Sequence, residues 1–154
     1  MYNYCTHNLK HKVEVAKWQL FLYNEIGDNM SVIDDKINSL SMSKFRGSFH
    51  LRKYMIDYIN KKGLEQIEKD AYYFIETRLS DTSKVKDGKQ TPMKGHPVFL
   101  AQHATATCCR SCFNKWYHIP KDRILTSHEI DFAVALIMAW IKKELKSNKF
   151  IKKT

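Results

Sequence analysis

Apolar residues recur every three or four positions along most of the chain, which is the spacing of one face of an α-helix. The clearest case is the segment 64–79, whose apolar positions are Leu64, Ile67, Ala71, Phe74, Ile75 and Leu79. Similar spacing predicts helices over 11–26, 31–40 and 50–62. No segment alternates with the period of two that is typical of a β-strand, so the pattern predicts an all-α fold.

The segment 98–117 differs from the others because apolar or small residues occupy every face of it. It contains no Gly or Pro, and its charged residues are Arg110 and Lys115. A helix without a polar face is typical of a buried central element. We therefore expect a compact helical bundle around a buried central helix over about 98–117.

The ends of the helices suggest how the chain is divided. A last helix begins at a capping box, in which Thr126 is the N-cap and Glu129 follows three residues later. The Ser-rich segment 39–49 is the best candidate for a linker. We therefore predict an N-terminal helical extension over residues 1–44 and a domain over residues 45–150.

The net charge of +10 is concentrated in the second half of the chain, since residues 90–154 carry 11 basic and 4 acidic side chains. A basic domain favours a polyanionic partner such as DNA or RNA, and the alternative is a solubilising lysine tail over 142–153. No apolar run approaches the roughly 20 residues that span a bilayer. The first residues also lack the apolar region of a signal peptide, so we expect a cytoplasmic protein without a membrane partner.

Three cysteines lie close together at Cys108, Cys109 and Cys112. In a reducing compartment such a group predicts metal ligands, catalytic thiols or buried core thiols rather than disulfides. Zinc prefers four nitrogen or sulfur ligands, and His103, His96 or His118 are the candidate histidine ligands beside the cysteines. A redox pair needs a thiol at a helix N-terminus, whereas the predicted helix has these thiols in its middle. We therefore expect either no cofactor or one zinc ion.

Six polar side chains share the apolar central segment or its start. They are His96, Gln102, His103, Thr105, Thr107 and Arg110. Burying each without a partner costs roughly 1–3 kcal/mol, so they either satisfy one another or line a cleft for a polar ligand. No acidic residue occurs between Asp87 and Asp122, which disfavours a two-metal nuclease. Asp131 is then a candidate general base.

The strings GKQTPMKGHPVF (88–99) and AQHATATCCRSC (101–112), followed by KW and IPK, resemble a bacterial and phage family. That family is catalogued only as a domain of unknown function. The resemblance covers about residues 45–141 and begins with FRGSFHL. It implies that the loop 88–97 and the central helix form one site, but it implies no activity.

These features together favour a DNA-acting protein, and more specifically a base-excising, glycosylase-like hydrolase. The candidate catalytic residues are His96, Gln102, His103 and Asp131. The candidate nucleic-acid contacts are Lys89, Gln90, Thr91, Lys94, Thr107 and Arg110. One alternative is a non-enzymatic nucleic-acid-binding module with a zinc- or thiol-stapled core. Another is a phage or host inhibitor that binds a protein partner through residues 1–44.

Overall fold

The longest helix, Ser127–Ile151, is the element on which most of the other helices pack. The structure is a computed structural model that describes residues 30–151. Within these residues it has six α-helices and no strand, so the predicted all-α fold is confirmed. The helices are α1 (Met30–Ser41), α2 (Lys53–Lys62), α3 (Leu64–Phe74), α4 (Pro97–Ala104), α5 (Arg110–Tyr117) and α6 (Ser127–Ile151). No helix among them is both long and apolar enough to cross a bilayer.

The hydrophobic core forms where α6 meets α1, α3 and α4. Most of the apolar face predicted for α3 is buried, although Leu64 at its start is 37% exposed, and α3 continues into a π-helical turn, Ile75–Leu79. Its fully buried side chains are Ile67, Ala71, Ile75 and Leu79. They pack in the same core as Ala133, Leu136, Ile137 and Ile141 of α6. Each fully buried large aliphatic side chain contributes about 1.5–3 kcal/mol.

The prediction of one continuous helix over 98–117 is wrong, because the segment 105–109 divides it into α4 and α5. Ala106 has a left-handed φ of 59°. A residue with a Cβ adopts this conformation where its surroundings hold it. Thr105 is the C-cap of α4, and its hydroxyl donates to the Ala101 carbonyl in the last turn of that helix at 2.7 Å. Cys109 then takes an extended conformation and starts α5.

The segment predicted to be a linker, 39–49, is part of the fold. It contains the last turn of α1 and a 3₁₀ turn, Arg46–Ser48, in which Arg46 is 7% exposed. Ile37 and Leu40 of α1 belong to the same core as the later helices. An extension that is separate from the domain therefore stays a prediction for residues 1–29. These residues, with the predicted helix 11–26, lie outside the described part of the chain.

The predicted capping box at the start of α6 is confirmed. The Thr126 backbone N–H donates to Glu129 Oε2 at 2.9 Å, and the Glu129 N–H donates to Thr126 Oγ1 at 3.3 Å. Arg123 adds a bidentate pair to Glu129 at 2.7 and 2.8 Å. Burial opposes ionisation of Glu129, but the bonds from Arg123 and Thr126 outweigh it and lower its pKa. The Glu129 carboxylate thus fixes the loop residues Arg123 and Thr126 to the first turn of α6.

Candidate metal centre

Three cysteine thiols meet at the start of α5. The Sγ atoms of Cys108, Cys109 and Cys112 all lie within 4.8 Å of one another. Cys108 and Cys109 are each 7% exposed, and Cys112 is half-buried. Cys109 is the N-cap of α5, and its Sγ accepts a hydrogen bond from the Cys112 backbone N–H at 3.3 Å. The prediction that these thiols lie in the middle of a helix is therefore wrong, and the objection to a redox pair falls with it.

Arg46 is the cation of this site. Its Nη1 lies 3.9 Å from Cys108 Sγ and donates to the His103 carbonyl at 2.5 Å. The guanidinium also lies 5.7 Å from the Trp116 ring centroid and 5.6 Å from that of Phe45. No carboxylate within the described residues forms a salt bridge with it. A buried guanidinium without a carboxylate therefore faces a group of thiols.

Arg46 belongs to the FRGSF string, which is part of the family resemblance and is the sequence feature that could have pointed to it. Helical spacing does not point to it, because Arg46 lies in a 3₁₀ turn and meets residues 57 and 62 positions later in the chain. Contacts of that sequence separation do not leave a periodic pattern.

The negative charge of the cluster falls first on Cys112. Hydrogen bonds from Cys108 and Cys109 lower the pKa of Cys112, and Arg46 lowers it further. Hydrogen bonds to Cys109 and Cys112 raise the pKa of Cys108. A thiolate stabilised in this way is the form of cysteine that binds a metal or acts as a nucleophile.

The predicted polar side chains of the central segment satisfy one another instead of lining a cleft. Gln102 Nε2 donates to the Thr107 carbonyl at 3.0 Å, and the Thr105 and Thr107 hydroxyls are 3.1 Å apart. The Tyr117 hydroxyl donates to the Thr105 carbonyl at 2.6 Å. All three predicted polar residues are at most 1% exposed. They hold the turn that precedes the cysteines, and none of them is accessible to a base or a phosphate.

Arg110 is also bonded inside the fold, which does not support its predicted contact with phosphate. Its side chain is 0% exposed. The guanidinium donates to the carbonyls of Ser80 at 2.8 Å and Arg123 at 2.9 Å, and also to that of Pro120. It thus fixes the loop after α5 to the end of the π-helical turn.

The loop 88–97 packs on the cysteine turn, as the family resemblance implies. The Thr91 hydroxyl donates to the Cys108 carbonyl at 2.8 Å. Gln90 is 0% exposed, and its side chain bonds to the Gly88 N–H at 2.8 Å and to Asp87 at 3.2 Å. Lys89 and Lys94, the other predicted contacts to nucleic acid in this loop, are exposed.

Asp87 is a residue that the sequence did not single out. Its carboxylate accepts from the Ser111 backbone N–H at 3.2 Å and from the Ser111 hydroxyl. Burial opposes ionisation of Asp87, but the bonds from Ser111 and Gln90 lower its pKa below the usual range. Ser111 lies in the first turn of α5, so a carboxylate holds the same helix end that the thiols occupy.

His103 lies against the loop rather than within the thiol cluster. Its Nε2 is 3.1 Å from the Pro92 carbonyl, which fixes Nε2–H as the donor, and its ring stacks on Phe49 at 5.5 Å. Burial lowers its pKa. Within the described residues the group of close ligand atoms contains the three cysteines and not His103. Its predicted place as fourth zinc ligand is therefore not supported.

His96 caps α4 and has both ring nitrogens engaged. Nδ1 accepts from the Val98 N–H at 3.2 Å, so Nε2–H donates to Asp70 Oδ2 at 3.2 Å. Burial lowers the pKa of His96 despite the opposing effect of Asp70. Asp131, the predicted general base, accepts from the Tyr72 hydroxyl at 2.9 Å. Each of the four predicted catalytic residues therefore has a hydrogen-bond partner within the fold, and a catalytic role for them stays a prediction.

A family model described as a domain of unknown function, DUF4186, matches residues 34–142 of the chain. No solved structure matches the chain.

We predict that His96 makes the protein less stable at mildly acidic pH. The folded pKa lies below the unfolded value of about 6.5, so the unfolded chain takes up the proton first as the pH falls. Stability should then decrease below about pH 6.5 with a slope of up to about 1.4 kcal/mol per pH unit from this group. Urea unfolding across about pH 5–8 measures the slope.

The variant His96→Asn keeps an N-cap acceptor but does not titrate, so its slope should be smaller than that of the wild type. Equal slopes for His96→Asn and the wild type would contradict the assignment.

Proposed function

This chain belongs to the DUF4186 family, a domain of unknown function, and we propose from its residues that it is a zinc-binding protein. The metal ligands are Cys108, Cys109 and Cys112. The observation that carries this proposal is the mutual distance of at most 4.8 Å between their Sγ atoms. In tetrahedral zinc sites the Zn–S distance of about 2.3 Å separates two sulfurs by about 3.8 Å. Small side-chain rotations therefore bring the three thiols to ligand distance.

The charge of the site supports three thiolates. A divalent zinc ion with three thiolate ligands carries one net negative charge. Buried charges are stable when they are paired. Arg46 is buried beside Cys108 and forms no salt bridge with a carboxylate of the described residues, so it is the counter-ion of this centre. Four thiolates would leave one negative charge without a partner.

A second candidate function is binding of nucleic acid through the exposed lysines of α6. Lys142, Lys143 and Lys146 line a cavity of about 290 Å³ together with Asp34 and Asn38. Lysines on a helix surface contact phosphates without reading sequence. In this proposal the zinc centre stabilises the domain and α6 binds the polyanion.

A glycosylase-like activity stays a prediction. Gln102, Thr107 and Arg110 are committed to internal hydrogen bonds, and Asp131 is bonded to Tyr72. The alternative that this chain is an inhibitor, which binds a protein partner through residues 1–44, also stays a prediction. Most of that segment lies outside the described residues.

We expect about one zinc ion per chain in the purified full-length protein, measured by elemental analysis. Substituting any one of the three ligands, as in Cys112→Ser, should reduce the zinc content and the unfolding temperature, because structural zinc contributes to folding. The variant Cys5→Ser is the matched control and should retain the metal. A wild-type protein with three reactive thiols in this cluster and no zinc would contradict the proposal.

The lysine surface makes a separate prediction for DNA binding. The double variant Lys142→Glu/Lys146→Glu should weaken binding to DNA duplexes of unrelated sequence by the same factor. It should also reduce the magnitude of the negative slope of log K against log salt by about 1.8, because two phosphate contacts are lost. The control is Lys53→Glu/Lys61→Glu, which changes the charge equally on α2. Equal effects of the two double variants, measured by fluorescence anisotropy, would reject the assigned surface.

A further inference from the structure

Two of the three thiols are placed as a potential disulfide. Cys109 is the N-cap of α5 and Cys112 is the third residue of its first turn, so the pair forms a C-x-x-C motif at a helix N-terminus. Their Sγ atoms lie within 4.8 Å, and Cys109 Sγ is 3.3 Å from the Cys112 nitrogen. Residues three apart on a helix are about 5–6 Å apart at Cβ. Rotation of the side chains with a small backbone adjustment reaches the geometry of a disulfide.

Cys108 lies within the same 4.8 Å of the other two thiols, but it also has contacts of its own outside the pair. Its Sγ faces Arg46 at 3.9 Å, and its carbonyl is fixed by the Thr91 hydroxyl at 2.8 Å. A bond to Cys109 would join adjacent residues, which strains the peptide between them. A bond to Cys112 is the competing product, and it would draw Cys108 away from its guanidinium.

We infer that Cys109 and Cys112 are a redox-active pair that a hydroperoxide oxidises to a disulfide. Cys112 is the attacking thiol because it is half-buried, whereas Cys109 is 7% exposed. The inference adds a reaction to the site of the proposed function, and it depends on that function only for the release of zinc. A thiol pair at a helix N-terminus is the arrangement that dithiol chemistry uses.

The reaction has two steps. The Cys112 thiolate attacks one peroxide oxygen, so an S–O bond forms as the O–O bond breaks, and the other oxygen leaves as water or an alcohol after taking a proton from solvent. The Cys109 thiolate then attacks the Cys112 sulfur. The S–S bond forms, the S–O bond breaks, and that oxygen leaves as water after protonation. Two electrons pass from the thiols to one peroxide.

Oxidation also removes the metal. The disulfide takes two of the three thiolates away from zinc and leaves Cys108 as a single sulfur ligand. Zinc binds thiolates and not disulfide sulfurs at such sites, so the ion is released. A dithiol reductant cleaves the Cys109–Cys112 disulfide and restores the two thiols, so that the metal can bind again.

The test treats the full-length protein, in zinc-loaded and zinc-free forms, with hydrogen peroxide. Peptide mapping by mass spectrometry after alkylation locates the disulfide, and a chromophoric chelator measures released zinc. We expect one Cys109–Cys112 bond per chain in both forms, reversal by a dithiol, and release of about one zinc ion for each disulfide formed. The Cys108→Ser and Cys5→Ser variants should form the same bond. In Cys109→Ser the reaction should stop at a sulfenic acid on Cys112, which dimedone traps.

A bond between Cys108 and Cys112, or oxidation to sulfinic acid without a disulfide, would overturn the inference. These results leave the zinc proposal standing when the untreated protein contains the metal. A Cys109–Cys112 disulfide in a protein that never binds zinc supports the redox pair and rejects the metal centre. The peptide map of the oxidised wild-type protein identifies which two cysteines are bonded. The test therefore does not require that every cysteine variant folds.

Discussion

The turn over residues 105–109 is the constraint on which the rest of the site depends. It holds Ala106 at a φ of 59°, a conformation that costs on the order of 1–3 kcal/mol in a residue with a Cβ. Gln102 and Tyr117 donate hydrogen bonds to its Thr107 and Thr105 carbonyls, and the Thr105 hydroxyl ties it to the Ala101 carbonyl of α4. The turn ends α4 early and starts α5 at Cys109, which converts a run of cysteines into a cluster at a helix end.

Charge explains why that cluster suits thiolates. The chain carries no acidic residue between Asp87 and Asp122. Asp87 is bonded to Ser111 at the N-terminal end of α5, and Arg46 is left facing sulfur. A buried guanidinium needs an anion, and the cysteine group is the one that the fold brings to it. Zinc binding and thiol oxidation both draw on this arrangement, because both start from thiolates.

The elements with a strong apolar period could be predicted from the sequence. The buried face of α3 and the capping box of α6 follow from residue spacing alone. The break at 105–109 could not, because it contains neither Gly nor Pro and its left-handed residue is an alanine. The role of the polar side chains in this stretch could not be predicted either. A ligand-binding cleft and a turn whose polar groups bond to one another require the same residue types.

The contacts of Arg46 are a second feature that could not be predicted from the sequence. The partners of Arg46, the His103 carbonyl and the Cys108 thiol, are distant in sequence, and only the folded chain brings them together. The cysteines could be recognised as candidate ligands from their proximity in the chain. The proposal of three ligands rests on the distances between the thiols and on the single charge of Arg46, neither of which a pattern of residues contains.

The atoms bound to the metal are the direct test of a zinc centre formed by Cys108, Cys109 and Cys112. Zinc K-edge X-ray absorption on the full-length protein counts the sulfurs around the ion. We expect three sulfurs at about 2.3 Å and one lighter ligand at about 2.0–2.1 Å. A shell of four sulfurs would show that Arg46 does not balance the charge of the centre, and a shell without sulfur would show that the three cysteines do not bind the metal.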